Sequence, residues 1–384
     1  MNYKFPIINT IEDVLPHIEG RSEFLVVEKE GYTAINYVVN KDDTFNISED
    51  NPTEGAIRRE CRGLIFDTSG RIISRPFHKF FNLGEREDTQ PSQVDITQPH
   101  IILEKLDGSM IRPLVINGYL RLATKAGITD VAMQAEEYLV TREDHSECVE
   151  WMLHMDELGL TPIFEFISPE NQIVLEYEKA DLVLLAIRRN STGDYVSTSR
   201  HKWLGCPFNT VANHGSITNK SLTSFASEIK EGVDNEGIII RFDDGQMIKV
   251  KNEWYVRIHK VKDLVRTERN VIALIVNNEL DDVIPLVTEK DVEKIKTTQN
   301  KYFKAFDAKL NQIEEMCETV IEKYGNDRKS IALEYLPNTK DKMSGRFVFS
   351  YLDGQQLNEV LLRTVESNLS SNTKWEKFAE WLGM

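Results

Sequence analysis

The sequence has 384 residues, of which 41% are hydrophobic and 28% are charged, and its formal net charge is −16. This composition is typical of a globular protein with two or three domains, and the acidic balance argues against a protein that coats nucleic acid by bulk electrostatics. The negative net charge is still compatible with an enzyme that has a local basic cleft, because the electrostatic attraction of a charged ligand depends on the local potential.

Targeting signals are absent from the sequence pattern. No apolar run reaches membrane length, and the N-terminal stretch MNYKFPIINT lacks the basic and apolar regions of a secretory signal. The four cysteines lie far apart without a Cys-x-x-Cys pair, so neither a zinc site nor a disulfide framework is predicted. We therefore expect a cytoplasmic protein that does not contact a membrane.

Short β signals dominate the first 260 residues. Alternating apolar runs with turn residues predict pairs of strands, or a strand and a turn, at 23–39, 61–77, 111–127, 161–177, 181–197 and 235–251. Asn117-Gly118 and Asp244-Gly245 are expected at hairpin tips. Helices are predicted at about 129–142, 145–158 and 222–231, and a mobile loop at 48–56. The pattern predicts an antiparallel α+β domain over residues 1–260.

The last part of the chain has a different pattern. Apolar residues recur at helical spacing over 292–325, and the stretches GQQLNEVLLRTVESNL and KWEKFAEWLG continue it. We therefore predict a separate all-α domain over residues 261–384. Its charge pattern is mixed and includes no arginine-rich stripe.

The stretch IILEKLDGSM, residues 101–110, carries an apolar strand that ends on charge. Asp107-Gly108 alone favours a simple hairpin turn. The alternative is that the strand end carries Lys105 to the rim of a pocket. The rest of the chain is needed to choose between the two.

Other charged residues stand at strand ends or inside apolar strands. Lys249 and Lys251 share a strand face, Arg62 opens a strand, Glu165 lies between two phenylalanines, and Glu236 precedes an apolar strand. Each alone is most simply a solvated strand face or a strand-end charge.

Taken together, these residues resemble the covalent nucleotidyltransferase superfamily of ATP-dependent ligases and mRNA capping enzymes. The hallmark Lys-x-Asp-Gly is Lys105-Leu106-Asp107-Gly108. The segments FEFISP, LVLLAIR, EGIII and IKVK follow in the expected order at 164–169, 182–188, 236–240 and 248–251. The resemblance implies an antiparallel-sheet nucleotidyltransferase (adenylyltransferase) domain.

Further segments narrow the resemblance to the phage-type ATP-dependent RNA ligase family typified by bacteriophage T4 RNA ligase 1. They are RECRGLIFD, SRPFHKFFNLGE, NQIVLEY and KVKNEWYVRIH, and the likeness covers roughly residues 20–260. That family lacks the OB-fold of DNA ligases and capping enzymes, in agreement with a helical tail. Capping enzymes also tend to carry arginine two places after the motif glycine, where this chain has Met110.

The resemblance implies that Lys105 attacks the α-phosphate of ATP to form a lysyl-AMP. AMP then passes to an RNA 5′-phosphate, and a 3′-hydroxyl displaces it. Free lysine titrates near 10.4, so we expect burial and the neighbouring cations Lys249 and Lys251 to free the amine. Asp107 is expected, with Gly108, to shape the turn that presents Lys105.

The remaining roles also follow from the resemblance. Lys251, with Lys249 beside it, is assigned to the α-phosphate, and Glu236 to Mg²⁺, for which Mn²⁺ can substitute. Glu165 is assigned to the ribose hydroxyls and Arg62 to phosphate or ribose. Three further positions match family residues around the nucleotide, although Tyr37 and Tyr255 suit the core equally well: Tyr37, Lys79 and Tyr255.

The expected substrate is RNA with 5′-phosphate and 3′-hydroxyl ends, with tRNA as one candidate, and the expected role is RNA repair in host cytoplasm. The tail is expected either to bias the choice of RNA ends or only to cover the catalytic domain. No protein partner is indicated, and we take the chain as a monomer. The alternatives are a DNA ligase, a GTP-dependent capping-type enzyme, or a catalytically idle RNA-end-binding module.

Overall fold

The computed structural model describes residues 4–48, 50–197, 205–339, 341 and 343–384. The chain divides into two compact units, Met1–Val256 and Arg257–Met384. Within the described ranges, every strand lies in the first unit, and the second unit is helical. In those ranges no helix has the length and apolar character needed to cross a membrane.

The described part of the first unit contains three sheets of four strands each. The first sheet contains β1 (Phe24–Lys29), β2 (Tyr32–Tyr37), β3 (Arg62–Asp67) and β4 (Ile72–Ser74), in that order. The second contains β7 (Ser109–Ile116), β8 (Tyr119–Ala123), β9 (Leu160–Ile167) and β10 (Asp181–Arg189), in the order β10-β9-β7-β8.

The third sheet contains β5 (Phe81–Asn82), β6 (His100–Glu104), β11 (Gly237–Phe242) and β12 (Met247–Lys251), in the order β5-β12-β11-β6. The pairings between strands are antiparallel except that the two-residue β5 runs parallel to β12. The predicted antiparallel α+β character of this region is therefore confirmed at the level of sheets and helices.

The helices pack on the outer faces of the sheets in the first unit and form the whole core of the second. Those of the first unit are α1 (Pro52–Glu60), α2 (Asp130–Thr141), α3 (His145–Glu157) and α4 (Leu222–Lys230). Helix α5 (Glu253–Val265) begins in the first unit and ends in the second. The others are α6 (Glu268–Val276), α7 (Leu280–Val283), α8 (Glu289–Tyr324), α9 (Arg328–Ser330), α10 (Ser344–Leu352), α11 (Leu357–Asn368) and α12 (Asn372–Leu382).

Apolar faces explain this arrangement. Trp151 and Met152 of α3 pack on Phe164 of β9 in a core under the second sheet, while Leu222 of α4 packs under the third sheet. On their other faces, the second and third sheets share a small cluster made of Leu103, Ile167, Val183 and Val211. Residues that alternate toward these inner faces can therefore enclose a site between the two sheets.

The predicted hairpin tips are confirmed. β7 and β8 pair from Ile116 with Tyr119, and both Asn117 and Gly118 have positive φ, as a tight two-residue turn requires. β11 and β12 pair around Asp244-Gly245, where Gly245 has φ 93°.

Two local predictions are wrong. The predicted loop at 48–56 is helical from Pro52, because proline suits the first turn of a helix and Ala56 and Ile57 find a core; Glu49 lies outside the described residues. The stretch 171–177 was expected as a strand but is irregular. There the backbone N–H groups of Val174 and Leu175 donate to a side chain instead of a strand.

Candidate active site

The Lys105 side chain lies at the end of a strand and faces a buried carboxylate. The Lys105 backbone N–H, just beyond β6, donates to the Gly237 carbonyl at 3.0 Å. Its Nζ lies 2.6 Å from Glu236 Oε2, and the other carboxylate oxygen, Oε1, lies 3.1 Å from Lys251 Nζ. Glu236 is buried, whereas both lysines keep partial solvent access. One carboxylate therefore holds two of the predicted lysines together.

Gly237 explains why Glu236 can sit there. Its φ of 130° is in the region that glycine favours, and a Cβ built on it would lie 2.1 Å from the Val250 carbonyl oxygen. The close approach of β11 to β12 therefore requires glycine immediately after Glu236. In consequence, the carboxylate and Lys251 meet across two tightly paired strands.

Asp107 fixes the turn that follows Lys105. Its Oδ2 accepts the N–H groups of Val174 and Leu175 at 2.7 Å each, and the Tyr255 hydroxyl donates to Oδ1 at 2.5 Å. The Asp107 N–H in turn donates to the Tyr177 hydroxyl at 3.0 Å. Asp107 is 2% exposed, so these bonds replace solvent. The chain passes here from the third sheet to the second, because β6 pairs with β11 while β7 pairs with β9. Asp107-Gly108 therefore does not form a simple hairpin, and that interpretation is wrong.

Gly108 and Glu165 meet at the next position. The Gly108 N–H donates to Glu165 Oε1 at 3.2 Å, and a Cβ on Gly108 would lie 2.4 Å from the Phe166 carbonyl oxygen. Burial raises the pKa of Glu165 to about 7, and the nearby charge of Glu236 adds to the rise, while Lys105 and Arg62 oppose it. Glu165 therefore titrates near neutrality in the folded protein.

A cavity of about 250 Å³ lies between the second and third sheets. Its polar lining consists of Arg62, Glu104, Lys105, Glu165, Arg241 and Lys249, with the Gly108 backbone beside them. Apolar side chains make up the rest: Phe77, Phe80, Leu103, Leu106, Met110, Leu185, Val211, Ile239 and Met247. Lys105 thus lines a partly open cavity whose apolar side chains suit a flat apolar group and whose polar side chains carry charge.

Lys249 is a crowded cation in this lining. Its Nζ lies 4.5 Å from the centre of the Phe80 ring. Burial, followed by the charges of Arg62 and Lys79, lowers the pKa of Lys249 well below its usual value. A bound polyanion would relieve this repulsion, so the cluster is suited to phosphate.

Tyr37, the last residue of β2 in the first sheet, lies close to two further lysines. The Nζ atoms of Lys79 and Lys125 are 5.2 Å and 4.8 Å from the centre of its ring. Burial alone would raise the pKa of Tyr37, but the charges of Lys79, Arg62 and Lys125 outweigh it and lower that pKa. The ring therefore stabilises a group of cations that a triphosphate could engage.

The structure brings the predicted residues together in four groups. Lys105, Glu236 and Lys251 are in direct contact, and Arg62, Gly108, Glu165 and Lys249 line the adjoining cavity with Lys105. Asp107 and Tyr255 form a buried pair that is not part of the lining, and Tyr37 and Lys79 contact each other outside it. The pKa of Tyr255 is raised, because burial, Glu236 and Asp107 all oppose its ionisation.

Sequence reasoning did not identify Lys125 or Arg241. Lys125 lies in the turn between Thr124 and Gly127, and nothing in its local pattern marks it. Arg241 could have been found, because it lies two places after Ile239 on the strand that follows Glu236, and so faces the same side.

A magnesium site was predicted at Glu236. Among the described residues, no group of three or more His, Cys, Asp or Glu side chains is arranged to hold a metal ion. Mg²⁺ is usually bound by one or two carboxylates together with substrate phosphates, and Glu236 and Glu165 are near enough to influence each other's charge. The carboxylates present therefore fit an ion that arrives with a nucleotide.

Comparisons with known proteins show which proteins this chain resembles. A family model described as RNA ligase matches residues 60–255. A putative RNA ligase of Thermovibrio ammonificans is 33% identical over 304 residues, which cover 76% of this chain and 75% of the relative. RNA ligase 1 of bacteriophage TS2126 is 25% identical over 281 residues, covering 72% and 68%. A solved archaeal ATP-dependent RNA ligase has a TM-score of 0.44 at 12% identity, covering 89% of this chain and 95% of that chain.

Proposed function

Since this chain belongs to the RNA ligase family of the phage type, we propose that it joins RNA ends with ATP through a covalent lysyl-AMP on Lys105. One observation carries this proposal. Lys105 Nζ contacts the buried Glu236 carboxylate, beside Lys251, at a cavity lined by Arg62, Lys249 and apolar side chains. A nucleophile, cations for phosphate and a wall for a base therefore occur together.

The first step transfers AMP to the enzyme. Lys105 Nζ attacks the α-phosphorus of ATP, a P–N bond forms, and the bond from that phosphorus to the pyrophosphate oxygen breaks. Because lysine is protonated at neutral pH, it must lose a proton before it attacks. Lys105 keeps partial solvent access, through which that proton can leave, and Glu236 Oε2, at 2.6 Å, holds Nζ in position. Lys251, on the other oxygen of Glu236, is placed to follow the charge that develops on the phosphoryl group.

Two further steps complete the reaction. The RNA 5′-phosphate attacks the phosphorus of lysyl-AMP, the P–N bond breaks, and the RNA carries a 5′-adenylate. The 3′-hydroxyl of the other end then attacks the 5′-phosphorus, gives up its proton and displaces AMP. The same cations serve each transfer, because each one builds charge on a phosphoryl group.

The remaining site residues hold the nucleotide. Arg62 and Lys249 contact the phosphates, with Lys79 beyond them, and Glu165 accepts hydrogen bonds from the ribose hydroxyls. Mg²⁺, or Mn²⁺ in its place, would be held by Glu236 together with the phosphates and would shield the triphosphate charge. Asp107 and Tyr255 act from behind the cavity by holding the turn that presents Lys105.

The natural substrate is RNA with a 5′-phosphate and a 3′-hydroxyl, and we propose RNA repair, with broken tRNA as one candidate. The helical second unit biases the enzyme toward particular RNA ends. A cytoplasmic setting agrees with the four cysteines, which are all free thiols in the described residues.

Labelling the enzyme with α-labelled ATP and Mg²⁺, without RNA, tests the first step. We expect label that survives denaturation but is released by acid, and its loss in Lys105→Ala. Lys220→Ala is the matched control, because Lys220 is an exposed lysine paired only with Glu228 in the described contacts.

Label from α-labelled GTP instead of ATP would replace the proposal with capping chemistry. Folded enzyme, free of bound AMP, that takes label from neither nucleotide would overturn it and leave an RNA-end-binding module. Label that persists in Lys105→Ala would move the nucleophile to another residue.

A further inference from the structure

Arg241 is a buried cation that the proposed reaction does not use. It lies in β11, 6% exposed, and it lines the cavity. Its Nη1 is buried and has no hydrogen-bond partner among the described residues. Tyr195 and Asp243 act on Arg241 electrostatically, but neither accepts a bond from Nη1. A buried guanidinium donor without an acceptor is uncommon, because the desolvation is not compensated.

Strand register places Arg241 at the far end of the cavity. Gly237, Ile239 and Arg241 alternate onto one face of β11, opposite Lys251, Lys249 and Met247 of β12. Arg241 is four residues from Gly237, which corresponds to about 13 Å along a strand. The Lys105 N–H bonds the Gly237 carbonyl, and Lys105 Nζ contacts Glu236 one residue further from Arg241.

The cavity wall between these two ends is apolar. Leu103 and Ile239 are paired on the third sheet, and Leu185 and Val211 face them. Apart from Lys249, which is paired with Ile239 on β12, this wall suits the faces of a base, and the other cations that a triphosphate could engage, Lys79 and Lys125, lie outside the lining. A nucleotide with its α-phosphorus at Lys105 therefore directs its base toward Arg241.

We propose that Arg241 recognises the base of the nucleotide, with its guanidinium turning toward the cavity and donating a hydrogen bond to N1 or N7 of adenine. This inference rests on the proposed function and names a specificity residue for it. Adenine offers N1 and N7 at its two outer edges as acceptors, and a guanidinium can only donate. Binding then satisfies a donor that the free protein leaves unpaired.

The test pairs a variant with base analogues. Arg241→Met keeps an unbranched apolar side chain and removes the guanidinium, and Arg189→Met is the control, because Arg189 is exposed at the end of β10. Rates of lysyl-AMP formation are measured in single turnovers with ATP, 7-deaza-ATP and 1-deaza-ATP. Equilibrium binding of the same three nucleotides is measured in the Lys105→Ala background, where transfer does not occur.

The analogue that lacks the accepting nitrogen is expected to bind the enzyme with Arg241 intact about 10- to 100-fold more weakly than ATP does. This is the range for a hydrogen bond to a charged group. The Arg241→Met variant is expected to bind ATP more weakly than wild type by the same factor, and to bind ATP and that analogue with equal affinity. The effect belongs in binding and KM, with kcat little changed. Because an unpaired buried charge is removed, Arg241→Met is also expected to unfold at an equal or higher temperature.

The outcomes separate this inference from the proposed function. A wild-type enzyme that takes no label from ATP defeats the proposed function itself. If the wild-type enzyme does take label, the role of Arg241 is tested by the two variants. Equal rates and affinities of Arg241→Met and Arg189→Met with all three nucleotides would overturn that role. Both deaza analogues losing affinity equally in wild type and in Arg241→Met would overturn it as well, because the loss would then not depend on Arg241.

Discussion

At the scale of single residues, Glu165 is a carboxylate held where its charge is unfavourable. Burial and the charge of Glu236 raise its pKa to about 7, from an ordinary value of 4.5. The folded protein therefore binds the Glu165 proton more tightly than the unfolded chain does. The stability that this proton provides is complete below pH 4.5 and is lost as the pH rises through 7.

Glu165→Gln is expected to stabilise the fold at pH 8 and to weaken ATP use. Glutamine resembles the protonated carboxyl, so the free energy of unfolding should rise by roughly 2 to 3 kcal/mol at pH 8, with the gain vanishing below about pH 4.5. Urea unfolding at pH 5, 6.5 and 8 measures this gain, and the KM for ATP should increase. An equal gain at every pH would show that the charge of Glu165 is not its source.

Glu60 is a buried carboxylate whose pKa is lowered, in contrast to that of Glu165. Its carboxylate, fully buried, accepts two bonds of 2.7 Å from Arg188 and one of 3.1 Å from Arg75. Burial alone would raise the pKa of Glu60, but these two arginines outweigh it and hold that pKa at about 2. The network joins the end of α1 to β10, and so it links the first and second sheets.

Glu60→Gln is expected to lower the free energy of unfolding by about 3 to 5 kcal/mol at pH 7, because it leaves two buried arginines without their counter-charge. The loss relative to wild type should shrink as the pH falls from 4.5 toward 2, where wild-type Glu60 itself becomes protonated. Glu28→Gln, at an exposed position on β1, is the control for thermal and urea unfolding. A change below 1 kcal/mol at pH 7 would contradict the prediction.

At the scale of elements, the segment after β9 owes its shape to Asp107. Residues 171–177 contain enough apolar and β-branched side chains to read as a strand. Their N–H groups at Val174 and Leu175 are nevertheless bound by a carboxylate 67 and 68 residues away. Local pattern contains no signal for such a distant acceptor, so this element could not be predicted from the sequence.

Asp107→Asn is expected to loosen residues 171–177 and to slow lysyl-AMP formation by at least about tenfold. A neutral amide oxygen accepts hydrogen bonds more weakly than a carboxylate, and the amide NH₂ cannot accept from the Tyr255 hydroxyl, so the Val174 and Leu175 amides should exchange hydrogen faster. Asp95→Asn, in an exposed turn, is the control. Tyr255→Phe removes one of the bonds and should give a smaller effect. Unchanged exchange at both amides would refute the role given to Asp107.

The sequence predicts the turns and helices better than it predicts the connections between sheets. Asn117-Gly118 and the helices near 130–141 and 222–230 follow from local chemistry, and the structure has them. The passage from β6 to β7 through Lys105 is different, because a strong turn signal at Asp107-Gly108 stands between strands that pair with other partners. Turn propensity does not specify which strand lies on the far side.

At the scale of the whole molecule, the two units divide the residues of the site unequally. Every residue in the cavity lining falls between Arg62 and Lys249, in the first unit. Tyr255 supports that lining from the start of α5, while Val261 and Val265 near its end join a core of the second unit. The chemistry of the first step should therefore depend on the first unit and on the beginning of α5.

A fragment of residues 1–260 is expected to form lysyl-AMP but to join RNA ends with reduced discrimination among substrates. It keeps Tyr255 and omits Val261 and Val265, which would otherwise be exposed. A fragment of residues 1–252 is the comparison, because it lacks Tyr255 and should form lysyl-AMP more slowly. Labelling and joining assays on both measure this, with circular dichroism to establish folding. A folded 1–260 fragment without label would contradict the prediction.

The residues around Lys105 were easier to anticipate from the sequence than Arg241. Lys105, Glu165, Glu236, Lys249 and Lys251 stand out because charge is unusual at the ends and inner faces of apolar strands. Arg241 follows the same rule, but an arginine near the end of a strand is also common at a solvated edge. The distinction lies in burial, which comes from packing between two sheets and cannot be read from one strand.

The helix that carries Tyr255 has one further consequence. An α-helix is a stiff rod, and α5 runs without interruption from the Asp107 contact into the second unit. We expect a substitution that unwinds the first turn of α5 to displace the Tyr255 hydroxyl and so to loosen the Asp107 carboxylate, to which it donates at 2.5 Å. A change at the start of α5, outside the cavity lining, should therefore alter the rate of lysyl-AMP formation.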